Sequence, residues 1–329
     1  MVDHRRLRQE ATGTRPTVNS DTVIWRLTDG KRGHERQTEG LAAALEALIP
    51  ASVYSISVNA SALKHFYHFC RSRFPNGASF PRPHLIVGAG RACQWPLLAA
   101  RRACGGRCIY LMRPSLPIKW FDLCIIPRHD DPRISTHVIV SEGPLNPIRP
   151  TPPRVRQTGL ILIGGSSRHY RWNTRDILQQ VTRITEHRPD ISWQICDSRR
   201  TPDDLRAALT KAKFLNAEYL PHDGIGRDWL PTAMQRSRYI WVSADSVAMI
   251  YEALTSGALV GFLDVPVRRR SRVTELTSDL KARKQIACID DWLELGAMNV
   301  DSRPLNESHR CAQLVAERWP EICNRKDMS

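Results

Sequence analysis

Ser243-Ala244-Asp245-Ser246-Val247-Ala248-Met249-Ile250-Tyr251-Glu252-Ala253-Leu254-Thr255-Ser256-Gly257 follows one short apolar run, residues 239–242, and leads into another, residues 258–263. Val247, Ile250, Tyr251 and Leu254 recur at i, i+3, i+4 and i+7, which predicts a helix between two strands. Asp245 or Ser246 can cap its start, and Gly257 supplies the left-handed residue that ends it. In such a unit of a parallel sheet the first helical turn lies at the carboxyl edge. Its free N–H groups and positive dipole end suit a phosphate there. Glu252 lies two turns in, off the apolar stripe, and can reach toward a ribose hydroxyl; the same residues also make an ordinary capped helix with a solvated glutamate.

The chain of 329 residues has room for two domains with real cores, since 42% of it is apolar and 25% charged. Its apolar runs are strand-sized, short of a membrane span. Residues 1–20 lack a sustained apolar stretch and read as a basic, poorly ordered tail rather than a signal peptide. Nine scattered cysteines, with Cys104 and Cys108 the close pair, suggest reduced thiols in a cytoplasmic protein, not a zinc site. The net charge of +15 favours an anionic partner: nucleic acid, an acidic membrane face or a phosphorylated substrate. No nucleic-acid-binding signature accompanies the charge, and the densest run, Arg268-Arg269-Arg270-Ser271-Arg272, reads as a solvated loop. Nucleic acid is therefore not an expected partner.

Strands at residues 22–27, 53–58, 84–87, 107–111 and 121–126 alternate with helical stretches in the first half. The turn after the first, Thr28-Asp29-Gly30-Lys31-Arg32-Gly33-His34, opens a helix, and its glycines permit close approach to backbone N–H groups. It lacks the Gly-Lys-Ser/Thr ending of a Walker loop. His34 stands at the helix start, where the dipole favours a neutral, base-competent imidazole; a surface histidine in a capping turn would look the same. Gly88-Ala89-Gly90 begins like a dinucleotide fingerprint, but Cys93 replaces the third glycine and no acid follows at the end of the next strand. That loop is expected to border a cleft. His129 and Asp130 sit in a polar turn after a strand.

Five prolines between residues 141 and 159 mark a semi-rigid linker, placed at 144–158. The alternation then restarts, with Gly164-Gly165-Ser166-Ser167 after one strand and Ser198-Arg199-Arg200-Thr201 after the next. Two arginines in a turn beside a helix N-terminus are good anion ligands. The expected architecture is α/β: two Rossmann-like doubly wound domains, residues 21–143 and 159–329, facing across a cleft, with an amphipathic helix at residues 306–319.

Gly30-Lys31-Arg32-Gly33-His34-Glu35-Arg36-Gln37, Ser198-Arg199-Arg200-Thr201 and Asp245-Ser246-x-x-Met249-x-x-Glu252-Ala253-x-x-x-Gly257 resemble the Elm-type mitochondrial-fission family over about residues 22–320. Its bacterial members are regarded as GT-B glycosyltransferases, some assigned to the outer core of lipopolysaccharide. The resemblance implies a nucleotide-sugar donor in the second domain, bound also by Ser166, with Glu252 at the ribose and Gly164, Gly165, Asp245 and Ser246 near the diphosphate. Ser198, Arg199, Arg200 and Met249 complete that expected set. A glycan or lipid-linked acceptor would meet the first domain, with His34 as catalytic base and Asp29 and Asp130 as competitors for that role.

GT-B enzymes generally work without a metal or a cofactor beyond the substrate, which leaves arginines and helix amides to stabilise the departing diphosphate. Two alternatives share the signature: a non-catalytic adaptor of the fission type, and a nucleotide-sugar epimerase. The charge further predicts salt-sensitive peripheral attachment to an anionic membrane, at its inner face.

Overall fold

The computed structural model describes residues 21–323 except 60, 152–156, 227, 299 and 301–302. The expected basic tail at 1–20 and residues 152–156 of the expected linker lie outside the described residues.

The first sheet holds β1 (Thr22–Thr28), β2 (Ala51–Ser57), β3 (Leu85–Ala89), β4 (Arg107–Leu111), β5 (Leu123–Pro127) and β6 (Val138–Ser141). All pair in parallel, in the order β2-β1-β3-β4-β5-β6. Central strands such as Leu-Ile-Val-Gly-Ala in β3 and Leu-Cys-Ile-Ile-Pro in β5 are buried along their whole length, as strands covered on both faces must be. The edge strand β6, Val-Ile-Val-Ser, has only its last residue buried and is too short to stand out in the sequence. Helices α1 (Arg32–Leu48), α2 (Ala62–Cys70) and α3 (Gln94–Cys104) follow β1, β2 and β3. Leu41 and Leu45 of α1 pack in the core on one face of the sheet, and Leu97 and Leu98 of α3 in the core on the other.

The second sheet, β7 (Thr158–Leu162), β8 (Ser192–Cys196), β9 (Ala217–Leu220), β10 (Tyr239–Ser243) and β11 (Leu259–Leu263), is also parallel, in the order β11-β10-β7-β8-β9. It carries α4 (Thr174–His187), α5 (Asp203–Lys211), α6 (Trp229–Arg236) and α7 (Val247–Ser256). Two further helices, α8 (Arg272–Ala282) and α9 (Ile289–Leu295), complete its cover. Ser271 and Thr274 cap α8 reciprocally, so the arginine run ends as a helix start. Trp193, Trp241 and Trp292 anchor the core, with Trp292 edge-on to the other two. The two doubly wound sheets are the two Rossmann-like halves expected from the strand–helix alternation.

The last helices, α10 (Glu307–Arg318) and α11 (Pro320–Cys323), leave the second sheet and pack on the first. Cys311, Ala312, Val315, Trp319 and Ile322 share a core with Leu41 and Leu45 of α1. Thr22 Oγ1 donates to the carbonyl of Ile322 at 2.8 Å, which ties α11 to the first strand. The connecting segment is pinned as well. Asn146 donates to Thr255 Oγ1 of α7 at 3.0 Å, while its backbone exchanges hydrogen bonds with Ser308 of α10. Chain order groups the terminal helix with the second domain; its apolar stripe finds its partner on the first.

Candidate active site

A cavity of about 440 Å³ opens where the carboxyl edges of the two sheets meet. Arg32, Gly33 and Arg36 of α1 form its first-domain wall. The second domain supplies Ser198, Arg199 and Arg200 after β8, His222 after β9, and Ser246, Met249 and Glu252 from the start of α7. All of these positions come from the loop or helix that follows the carboxyl end of a parallel strand, the edge where ligands of open α/β sheets bind.

α7 is flanked by Ser246 at its N-cap and by Gly257, whose φ of +85° is the left-handed cap. Ser246 makes no side-chain cap bond, so the first-turn N–H groups are left for water or a ligand in the cavity. Glu252 is not solvated. It is 4% exposed, and burial pushes its carboxyl above the ordinary carboxylate range, with Arg36 opposing that rise. Arg36 Nε donates to Glu252 Oε1 from across the cleft, and Arg36 Nη2 is buried with no partner among the described residues.

Asp245 lies one layer back. Its carboxylate accepts from Ser243 Oγ at 2.7 Å and from the Gly165 N–H at 3.1 Å, and pairs with Arg200 Nη2 at 2.8 Å. Gly164 N–H donates to Ser243 Oγ at 2.7 Å. The glycine turn is required by crowding: a Cβ on Gly165 would lie 1.8 Å from the Arg200 carbonyl oxygen. Ser198 Oγ and Thr201 Oγ1 both donate to the Gly164 carbonyl, which ties the arginine loop to the same turn. Gly164, Gly165 and Asp245 thus stand behind the cavity wall and aim Arg200, while Ser166 is exposed beside them.

His34 stands at the first turn of α1, next to the lining residue Gly33. Its Nδ1 lies 2.8 Å from Asp29 Oδ2, and Asp29 is 3% exposed at its side chain. A donating Nδ1 leaves Nε2 as the proton acceptor, the arrangement of an oriented imidazole base. The Gly88-Ala89-Gly90 loop packs against this histidine: Gly90 has φ +83°, and a Cβ there would lie 2.1 Å from His34 Nδ1. Gly90 therefore makes room for the His34 ring, while Gly88 makes room for Leu97 in the core. His129 and Asp131 belong to a separate cavity of about 430 Å³ with Arg128, Glu142, Tyr251 and Arg272. There His129 stacks on Tyr251, and burial holds its imidazole below the ordinary range.

Arg36, Asp197 and His222 are site residues that the sequence pattern does not single out by role. Asp197 is buried; it accepts from the His222 N–H at 2.6 Å and sits 2.8 Å from Arg206 Nε, an ion pair without hydrogen-bond alignment. It fixes the His222 loop at the cavity rim. An acid directly after a strand at the carboxyl edge was the available signal. Among the described residues no group of three or more His, Cys, Asp or Glu side chains could hold a metal ion.

Residues 32–319 match the family described as mitochondrial fission ELM1. The chain belongs to this family. An uncharacterized protein of Rickettsia prowazekii is 21% identical over 89% of this chain and 97% of its own length. Among solved structures, the UDP-GlcNAc 2-epimerase of Methanocaldococcus jannaschii is similar with a TM-score of 0.56 and 9% identity, over 90% of this chain and 99% of that one. MurG of Acinetobacter baumannii is similar with a TM-score of 0.50 and 12% identity, over 92% and 99%. Together they place this ELM1-family chain in the two-domain GT-B fold.

Proposed function

We propose that this ELM1-family protein is a glycosyltransferase that moves a sugar from a nucleotide-sugar donor to a glycan or lipid-linked acceptor, of which a lipopolysaccharide core is one candidate. The observation that carries the reading is the single cavity in which a buried carboxylate, Glu252, stands beside an open helix N-terminus and the Arg199-Arg200 loop. Those three groups suit the ribose and the diphosphate of a nucleoside diphosphate. Glu252 is the acceptor for ribose hydroxyls, the α7 amides meet phosphate oxygens, and the arginines neutralise the charge that develops as the diphosphate leaves.

The Asp29–His34 pair across the cleft supplies the base that takes the proton from the acceptor hydroxyl. The first domain provides the acceptor side of the cleft. A fission-type adaptor would have no use for a buried glutamate facing a half-satisfied arginine, which costs free energy unless a ligand uses it. The protein works in the cytoplasm.

An epimerase would hold the same nucleotide and needs no acceptor. Incubation with a panel of nucleotide sugars, followed by NMR, separates the two readings. Release of nucleoside diphosphate that requires an added acceptor supports transfer. Conversion of the donor into a stereoisomer without acceptor supports epimerisation and overturns the proposal.

A further inference from the structure

The first domain carries a surface that the nucleotide cavity does not use. Among the residues of α2 only His65 is buried, and the outer side presents Leu63, 81% exposed, with Phe66 at 43% and Tyr67 at 54%. Trp120, at 39%, extends this patch through Trp95: the ring centroids of Phe66 and Trp95 are 4.7 Å apart, and those of Trp95 and Trp120 6.0 Å. Cations interleave with the rings. Arg71 stands over Tyr67 at 5.5 Å and Arg102 over Phe69 at 5.1 Å. Arg101, Arg102, Lys119 and Trp120 rim a shallow cavity of about 480 Å³ beside them.

The stretch of chain that carries the patch is charged with one sign. Residues 47–121 contain ten Lys and Arg and no Asp or Glu, so most of the chain's excess of +15 is gathered in this stretch. Asp122, just beyond it, meets Arg101 and Arg107. Four large apolar side chains would otherwise be held in water on a face rich in cations and poor in anions. This pairing of aromatic and aliphatic tips with lysine and arginine is the chemistry of the bilayer interface, where rings sit at headgroup level and cations meet lipid phosphates. Nucleic acid would reward the rings and the cations but not an aliphatic Leu63 turned fully outward.

We propose that the face formed by α2 and Trp120 docks the protein peripherally on an anionic lipid bilayer, with Leu63, Phe66 and Trp120 entering the interface and Lys64, Arg71 and Lys119 engaging the headgroups. Among the described residues no helix is long and apolar enough to cross a membrane. The inference stands on the surface alone and holds whichever reaction the cleft performs.

The test is flotation of the full-length protein with phosphatidylcholine vesicles and with vesicles containing phosphatidylglycerol, at low and high salt. The wild type should float with the acidic vesicles and be released in large part by salt. Leu63→Glu with Phe66→Glu should lower the bound fraction roughly tenfold or more, while Leu215→Glu, a still more exposed position in the second domain, should change nothing. Melting temperature identifies a misfolded variant; Lys64→Ser with Lys119→Ser, both on exposed side chains, then serves as the second probe and should weaken only the salt-sensitive part. Equal binding to neutral and acidic vesicles, no binding to either, or binding unchanged in both variants would overturn the proposal.

Discussion

Arg36 of the first domain donates from Nε to Oε1 of Glu252 in the second, so the proposed ribose acceptor is held by a guanidinium from the opposite wall. Both side chains are largely buried, and Arg36 retains one nitrogen without a partner among the described residues. The pair therefore spans the cleft while leaving donor and acceptor capacity for a ligand that enters between its members.

Removal of the arginine exposes the cost of the buried carboxylate. Arg36→Ala should lower stability by roughly 3–5 kcal/mol near neutral pH, because Glu252 is left charged and unpaired. Glu252 already titrates above its ordinary range through burial, and loss of the opposing arginine raises it further. A raised acid contributes stability that is present below its unfolded pKa and lost as pH rises through the folded one. The deficit of Arg36→Ala relative to wild type should thus narrow on acidification and widen toward neutrality. Thermal melts across that range check the sign; a deficit independent of pH would contradict it.

Asp245 should prove to be a positioning residue. It holds the Gly165 amide, Ser243 and Arg200 rather than facing the cavity, so Asp245→Ala should cost roughly 1.5–3 kcal/mol of stability through the groups it strands. Denaturant unfolding measures this. Unchanged stability together with lost nucleotide binding would instead make it a direct ligand contact.

His34→Ala should cut turnover by about 10²–10⁴-fold with little change in donor affinity, the usual contribution of a positioned base. Asp29→Asn should lower turnover as well, since the amide no longer selects the tautomer with Nδ1 protonated. Steady-state kinetics with a competent donor and acceptor decide the matter, and near-normal turnover in His34→Ala would remove it from the chemistry.

The two sheets and the cleft were legible because parallel strands buried on both faces leave continuous apolar runs, as in Leu85–Ala89 and Tyr239–Ser243. The α7 helix was legible from its stripe and from Gly257. The edge strand β6 was not, since a half-exposed strand of four residues carries little periodicity. Nor was the return of α10 to α1, because an amphipathic stripe says that a helix packs and not on what. The site divides the same way. Ser198, Arg199, Arg200, Ser246, Met249 and Glu252 share one cavity because all lie near carboxyl ends of strands. Long-range partners escaped: Asp245 turned to Arg200, Gly90 making room for His34, and Arg36 reaching Glu252 from more than two hundred positions away are contacts that only the folded chain defines.

The central claim is tested most directly by calorimetric titration of the intact protein and of Glu252→Ala with UDP, GDP and CMP, below the melting temperature of both. At least one nucleotide should bind the wild type, and loss of the charged hydrogen bond to ribose should weaken it by roughly 1.5–3 kcal/mol, about ten- to a hundredfold. No heat of binding from any of the three at millimolar ligand, or equal affinity in the wild type and the variant, would contradict the nucleotide site.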